Sequence, residues 1–383
     1  MGRPRILIWL VTFLGVALIG ALHAPAQTPS EALLVLAKSD ETLAIVDPVS
    51  LQVVGRVPSG PDPHEVIASA DGRLAYISNY GGSDSDLNTI SVVDLVAQKV
   101  LPAINLGALH SAHGLAFAGG KLYFTVETNK AIGRYDPATK EVDWVMGTGQ
   151  DRTHMVWVSK RLEQLVTSNV SSGTISIIER VSPPSGGFGP PPGGPPGSGP
   201  PPGFRPPPGG PRKTWEVTNV RAGNGSEGFD VSPDGKEIWA ANARDATLTI
   251  IDFAGKRATQ SIPISVKGAN RLKFTLDGTR VFISGLGYAG TTGSNLVVLD
   301  RASRKEIKGF KLGGGSAGIL MDPDGSRAFV SVSGNDYVAV VDLKSLEVTG
   351  RISAGKQPDG LAWAVRKPVA RTSAFEVRGS SAR

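Results

Sequence analysis

The chain has 383 residues with 48 glycines, 28 prolines and no cysteine, which excludes disulfides, thiol chemistry and a Cys-x-x-Cys-His haem attachment. Its formal net charge of +6 lies outside the body: residues 1–26 carry +2, 182–213 carry +3 and 366–383 carry +4, leaving the remainder near −3. That distribution argues against a basic nucleic-acid groove on the body, so nucleic acid is not an expected partner.

The chain opens with MGRPR, then the apolar run ILIWLVTFLGVALIGAL, then Ala24-Pro25-Ala26. A basic start, an apolar run and a small-residue cleavage pattern predict a secretory signal peptide over 1–26, and hence a periplasmic or secreted protein with no membrane span after cleavage. A retained anchor is the alternative, since seventeen apolar residues nearly span a bilayer.

Residues 33–57 then read as three strands, B, C and D, with no strand A before them. From residue 63 a unit recurs. PHEVIASADGRLAYISNY at 63–80 places two apolar runs around Asp71-Gly72, a dipeptide suited to a tight hairpin. SEGFDVSPDGKEIWAAN, ANRLKFTLDGTRVFIS and SAGILMDPDGSRAFVSV repeat the pattern around Asp234-Gly235, Asp277-Gly278 and Asp324-Gly325. A second marker is an alternating strand ending in an acid, at Asp47, Asp94, Asp136, Glu179, Asp252, Asp300 and Asp342. The spacings are 47, 42, 43, 73, 48 and 42 residues.

Seven copies with a period in the forties predict a closed repeat fold. The expected class is all-β: one seven-bladed β-propeller over 33–365, built of four-stranded antiparallel blades. The C-terminal DGLAWAV (359–365) supplies the missing strand A, so the last blade joins N-terminal strands B–D to it. The anomalous spacing holds SPPSGGFGPPPGGPPGSGPPPGFRPPPGGPRK at 182–213, with half of all the prolines, between strands C and D of blade three. Such a segment cannot bury a core, so a disordered insertion is expected there, and a basic disordered tail at 366–383.

An Asp-Gly hairpin, then YISN or a variant, then VVD resembles the YVTN-repeat, YncE-like seven-bladed propellers, an exported bacterial group. More distantly the pattern is similar to lactonase-like propellers. The resemblance covers about 33–365 apart from the insertion. It implies an exported propeller, and its relatives include binding proteins and, among superficially similar propellers, lactonases and metal-dependent lyases. Fold alone does not choose between them.

One residue stands just before each expected A strand: His64, His113, His154, Glu227, Asn270, Ala317 and Asp359. Strand A lines the central channel, so these seven form a ring, and six of them are polar. Three imidazoles with the Glu227 carboxylate are a donor set for one divalent metal ion, with Glu227 alternatively a catalytic general base. Asn270, Arg271 and Asp359 would then contact a ligand. A metal-free pocket and a wet polar channel mouth are the other readings of the same ring. The expected function is an exported, monomeric binding or scaffold propeller with a small-molecule or protein ligand at the ring face. The alternative is a metal-dependent hydrolase or lyase, and DNA binding ranks below both. No Ser-His-Asp elbow, P-loop or dinucleotide fingerprint is present.

Overall fold

The computed structural model describes residues 29–82, 84–182, 213–287 and 293–366. The expected signal peptide, the proline-rich insertion apart from its two end residues, and the tail beyond Arg366 lie outside them. Seven four-stranded antiparallel sheets form the seven blades, each a simple meander from strand A at the channel to strand D at the rim. The A strands are Pro63–Ala68, Ala112–Ala118, Thr153–Val158, Ser226–Val231, Ala269–Phe274, Ile319–Met321 and Pro358–Val365. The last pairs antiparallel with Glu31–Ala37, setting Leu33 opposite Trp363 and Val35 opposite Leu361. The two ends of the described chain thus share blade seven, which gains its strand A and closes the ring.

Continuous burial of the inner strands builds the core. Central B and C strands such as Leu74–Asn79 and Thr89–Asp94 are buried on both faces, while outer D strands such as Arg257–Pro263 are largely exposed. Apolar side chains pack between neighbouring blades. Leu34, Leu36 and Ile45 of blade seven meet Ala75, Ile77 and Val93 of blade one in one buried cluster. Gly72 and Gly235 take the left-handed conformation that the Asp-Gly turns require, at φ +67° and +69°. Strands Thr174–Val181 and Thr214–Arg221 pair through Val181 and Thr214, so the insertion leaves and re-enters blade three between its C and D strands.

The ring residues were expected just before each A strand. In six blades they are instead its second residue, at a β-bulge. In blade one, Pro63 pairs with Asn79 but Val66 with Ile77, so two residues of strand A are passed over against one of strand B. The bulge frees a backbone N–H, and a hydroxyl near the end of strand B takes it up. Gly114 N–H donates to Thr125 Oγ1 at 2.8 Å, and that hydroxyl donates to the His154 carbonyl of the next blade at 2.6 Å. Ser168 accepts from Met155 N–H and donates to the Glu227 carbonyl at 2.5 Å. Ser284 and Ser331 donate likewise to the carbonyls of Ala317 and Asp359. The hydroxyl therefore satisfies the bulge and ties the backbone of four ring residues, His154, Glu227, Ala317 and Asp359, to the blade before.

Candidate functional site at the ring face of the channel

His64, His113, His154, Glu227, Asn270, Arg271, Ala317 and Asp359 line one cup of about 230 Å³. Every sequence-predicted site residue is therefore brought together. Two further tiers complete the cup. The residue two before each ring residue has positive φ in six blades, and in four of these it is not glycine: Asp62 (φ 40°), Ser111 (57°), Arg152 (54°) and Gln357 (52°). A side chain held in that sparsely populated region is maintained by its surroundings. The residue after each B strand adds Lys38, Tyr80, Leu286 and Ser333 to the lining, with Glu127 buried behind.

Lys38, Tyr80, Glu127 and Arg152 were not picked out from the sequence. They sit at fixed offsets from the ring, but their residue types differ from blade to blade. The signal available was that same period of forty-odd residues, applied to two more positions.

The charges are organised in pairs. The Glu127 side chain, fully buried, accepts from Tyr80 O–H at 2.6 Å and from Arg152 Nε at 3.2 Å, and binds His154 Nδ1 at 2.5 Å. His154 Nε2 lies 3.2 Å from Glu227 Oε2 without a hydrogen-bond alignment, and Asn270 Nδ2 donates to the same oxygen. Burial works against charge on His154, but Glu227 and Glu127 outweigh it and its pKa is raised. Burial also opposes charge on Glu227, yet His154, Arg271 and Arg152 hold it down to about 2. A carboxylate held so low is a weak base, which disfavours Glu227 as a general base at neutral pH. Asp359 is the opposite case: burial raises its pKa, against the pull of His64 and Arg271.

The three imidazoles stack and do not converge. The rings of His113 and His154 lie 3.7 Å apart at 33°, those of His64 and His113 5.0 Å apart, and the Tyr80 ring meets His64 and His113 edge-on. His113 is buried and its pKa lies well below the usual range, through burial first and then the charges of its neighbours. His113 Nδ1 and His154 Nε2 are sealed from solvent without hydrogen-bond partners. His64 Nε2 is taken by Lys38 Nζ, which also pairs with Asp62 at 3.2 Å. Among the described residues, no three His, Asp or Glu side chains are grouped so as to hold a metal ion.

Hydrogen-bonding capacity remains unspent at the rim of the cup. Arg152 donates through Nε to Glu127 and lies beside the Tyr80 hydroxyl, with its guanidinium in the cup lining. Gln357 accepts from Ser39 Oγ at 2.7 Å through Oε1, leaving its amide N–H groups. Donors and acceptors thus alternate around the lining: Lys38, Gln357 and Asp359 in blade seven, Arg152 and Glu227 in blades three and four.

Other polar side chains near this face serve the blades themselves. Asn79 ties Thr89 and Ser91, and Asn242 ties Thr247 and Thr249, within their own blades. The loop at 84–88 makes turn hydrogen bonds, Ser85 Oγ accepting from Leu87 N–H and Asn88 donating to the Gly107 carbonyl. His110 stands outside the cup lining.

The chain matches no protein-family model and no curated protein sequence. It is similar to a structure of unknown function from Desulfotomaculum acetoxidans, with 11% identity and a TM-score of 0.65, covering 88% of this chain and 99% of that one. It is also similar to a Bacteroides uniformis protein provisionally described as a 6-phosphogluconolactonase, at 13% identity and TM-score 0.60, covering 87% and 99%. A third is the dihydro-heme d1 dehydrogenase NirN in complex with DHE, at 14% identity and TM-score 0.57, covering 86% and 74%. Identities this low establish the shared propeller fold alone.

Proposed function

We propose that the chain is an exported binding propeller whose ring-face cup takes a small polar organic acid. The observation that carries this reading is the cup itself, where side chains of all seven blades meet and the donors Lys38, Arg152 and Gln357 share one lining with the acceptors Glu227 and Asp359. Guanidinium and ammonium groups suit a carboxylate, and the acceptors suit a hydroxyl or amine on the same molecule. Export is supported by the basic, apolar and Ala24-Pro25-Ala26 pattern of the N-terminus and by the resemblance to YncE-like propellers. Among the described residues no helix is long and apolar enough to cross a membrane.

A thermal-shift screen of small hydroxy and amino acids tests the reading, followed by calorimetry on the wild type and on Arg152→Ala. A saturable ligand lost in that variant supports it; a screen without a single saturable acid sinks it. The competing reading, a metal-dependent hydrolase or lyase, draws on the three imidazoles in consecutive blades. Its test is the metal content of the mature protein, with and without the His64→Ala, His113→Ala, His154→Ala triple change.

A further inference from the structure

The channel does not run through. One residue beyond the ring, the seven A strands present Glu65, Gly114, Met155, Gly228, Arg271, Gly318 and Gly360. The four glycines add no side chain, and each is forced by crowding. A Cβ at Gly114, Gly228, Gly318 or Gly360 would lie 2.3–2.5 Å from a carbonyl oxygen of the next blade. Only Glu65, Met155 and Arg271 reach inward at this level. Arg271 spans the channel from blade five to blade one and donates through Nε and Nη2 to Glu65 Oε1, at 3.2 and 2.5 Å, while its Nη1 is held by Asn270. Arg271 lines both the ring-face cup and a second cavity of about 360 Å³ beyond it. The ion pair is thus a floor between two chambers.

The second chamber differs in chemistry from the cup. Its walls include Ile67, Met155, Trp157, Leu320, Leu361 and Trp363. Its charges are already matched: Glu65 with Arg271, and Asp230 with Lys273 at 3.5 Å while also accepting from Phe274 N–H. An ionic ligand would find no spare counter-charge there and would lose its hydration. Apolar walls make a poor container for water and a good one for an apolar molecule. The chamber opens on the face of the A–B and C–D turns, opposite the ring.

We propose that this second chamber is a separate binding site for an uncharged, mainly apolar small molecule, distinct in place and chemistry from the ring-face cup. Trp157 and Trp363 supply flat apolar surface, and the flexible Met155 side chain adapts to the ligand's shape.

The test uses the full mature chain and N-phenyl-1-naphthylamine, an uncharged probe that brightens in apolar surroundings. Titration is expected to give a saturable signal with one site per chain and quenching of tryptophan emission. Leu361→Arg should weaken the probe by at least about tenfold, and Arg152→Ala in the cup should leave it unchanged. Because Leu361→Arg places a charge among buried neighbours, Trp157→Phe serves beside it: it keeps the wall apolar and should remove part of the quenching while binding persists. An unsaturable signal, or one equally strong in a folded Leu361→Arg protein, overturns the proposal. Loss of the probe on Arg152→Ala would also overturn it, by placing the probe in the cup. The cup's organic-acid ligand is read in a different assay, so either reading can fail alone.

Discussion

Two positions occur once in every blade and behave in opposite ways. The acid that ends each C strand keeps its type and its task. Asp47, Asp94, Asp136, Asp252, Asp300 and Asp342 each accept a backbone N–H from the turn that follows, at 2.8–3.0 Å. Only blade three departs, where Glu179 pairs with Lys256 across to blade four. The ring residue, at the bulge of the A strand in six blades, keeps its place but changes its type from histidine through glutamate, asparagine and alanine to aspartate. Repetition of type marks what every blade needs for itself. Repetition of place with variation of type marks what the seven blades make together.

That contrast can be broken most severely at Glu127. Its buried carboxylate serves Tyr80, Arg152 and His154 at once, so Glu127→Ala strands their partners. The expected loss is about 3–5 kcal/mol by chemical denaturation, with Glu127→Gln costing less.

The next effect is acid sensitivity concentrated in the ring. Glu227, held down to about 2, contributes stability above its unfolded value of 4.5 that is lost as pH falls from there toward 2. The size is on the order of 3 kcal/mol, shared with His154. His113, whose pKa is lowered in the fold, also costs stability as pH drops below about 6.5, because only the unfolded chain takes up its proton. His154 runs the other way: its raised pKa stabilises below 6.5, and that contribution fades as pH rises through the raised value. Melting curves across pH should therefore show an acid limb that Glu227→Gln flattens.

A smaller effect belongs to the blade contacts. Gly360→Ala sets a Cβ 2.5 Å from the His64 carbonyl oxygen and should cost about 1–3 kcal/mol through overpacking. The smallest is a single C–D turn: Asp47→Ala removes two exposed hydrogen bonds, from Val49 N–H and the Ser50 hydroxyl, and should cost about 0.5–1 kcal/mol. If Asp47→Ala proved as damaging as Glu127→Ala, the distinction between the two positions would collapse.

The fold was legible because its signals repeat. Strands B and C of blade one fall at Leu74–Asn79 and Thr89–Asp94 as the alternation predicts, and the split seventh blade follows from counting incomplete units. The ring was legible for the same reason, and all its members reach one cup. The bulge was not visible, because it adds one residue to strand A without changing the apolar pattern beyond it; the ring residue then falls inside the strand instead of before it. Lys38, Tyr80, Glu127 and Arg152 were missed because a changing side chain at a fixed offset has no repeated letter to notice. The stacking of His113 on His154, which turns ring nitrogens away from a common point, depends on rotamers and on the Glu127 hydrogen bond, and residue type does not encode either.

The cup, and not the repeated turn acids, is proposed to carry the function. The most direct measurement is calorimetric titration of the best organic acid from the screen into wild type, Lys38→Met, Arg152→Ala and Asp47→Ala proteins. Binding is expected to be lost or weakened at least about tenfold in the two cup variants and unchanged in Asp47→Ala. Equal affinity in all four proteins would contradict it.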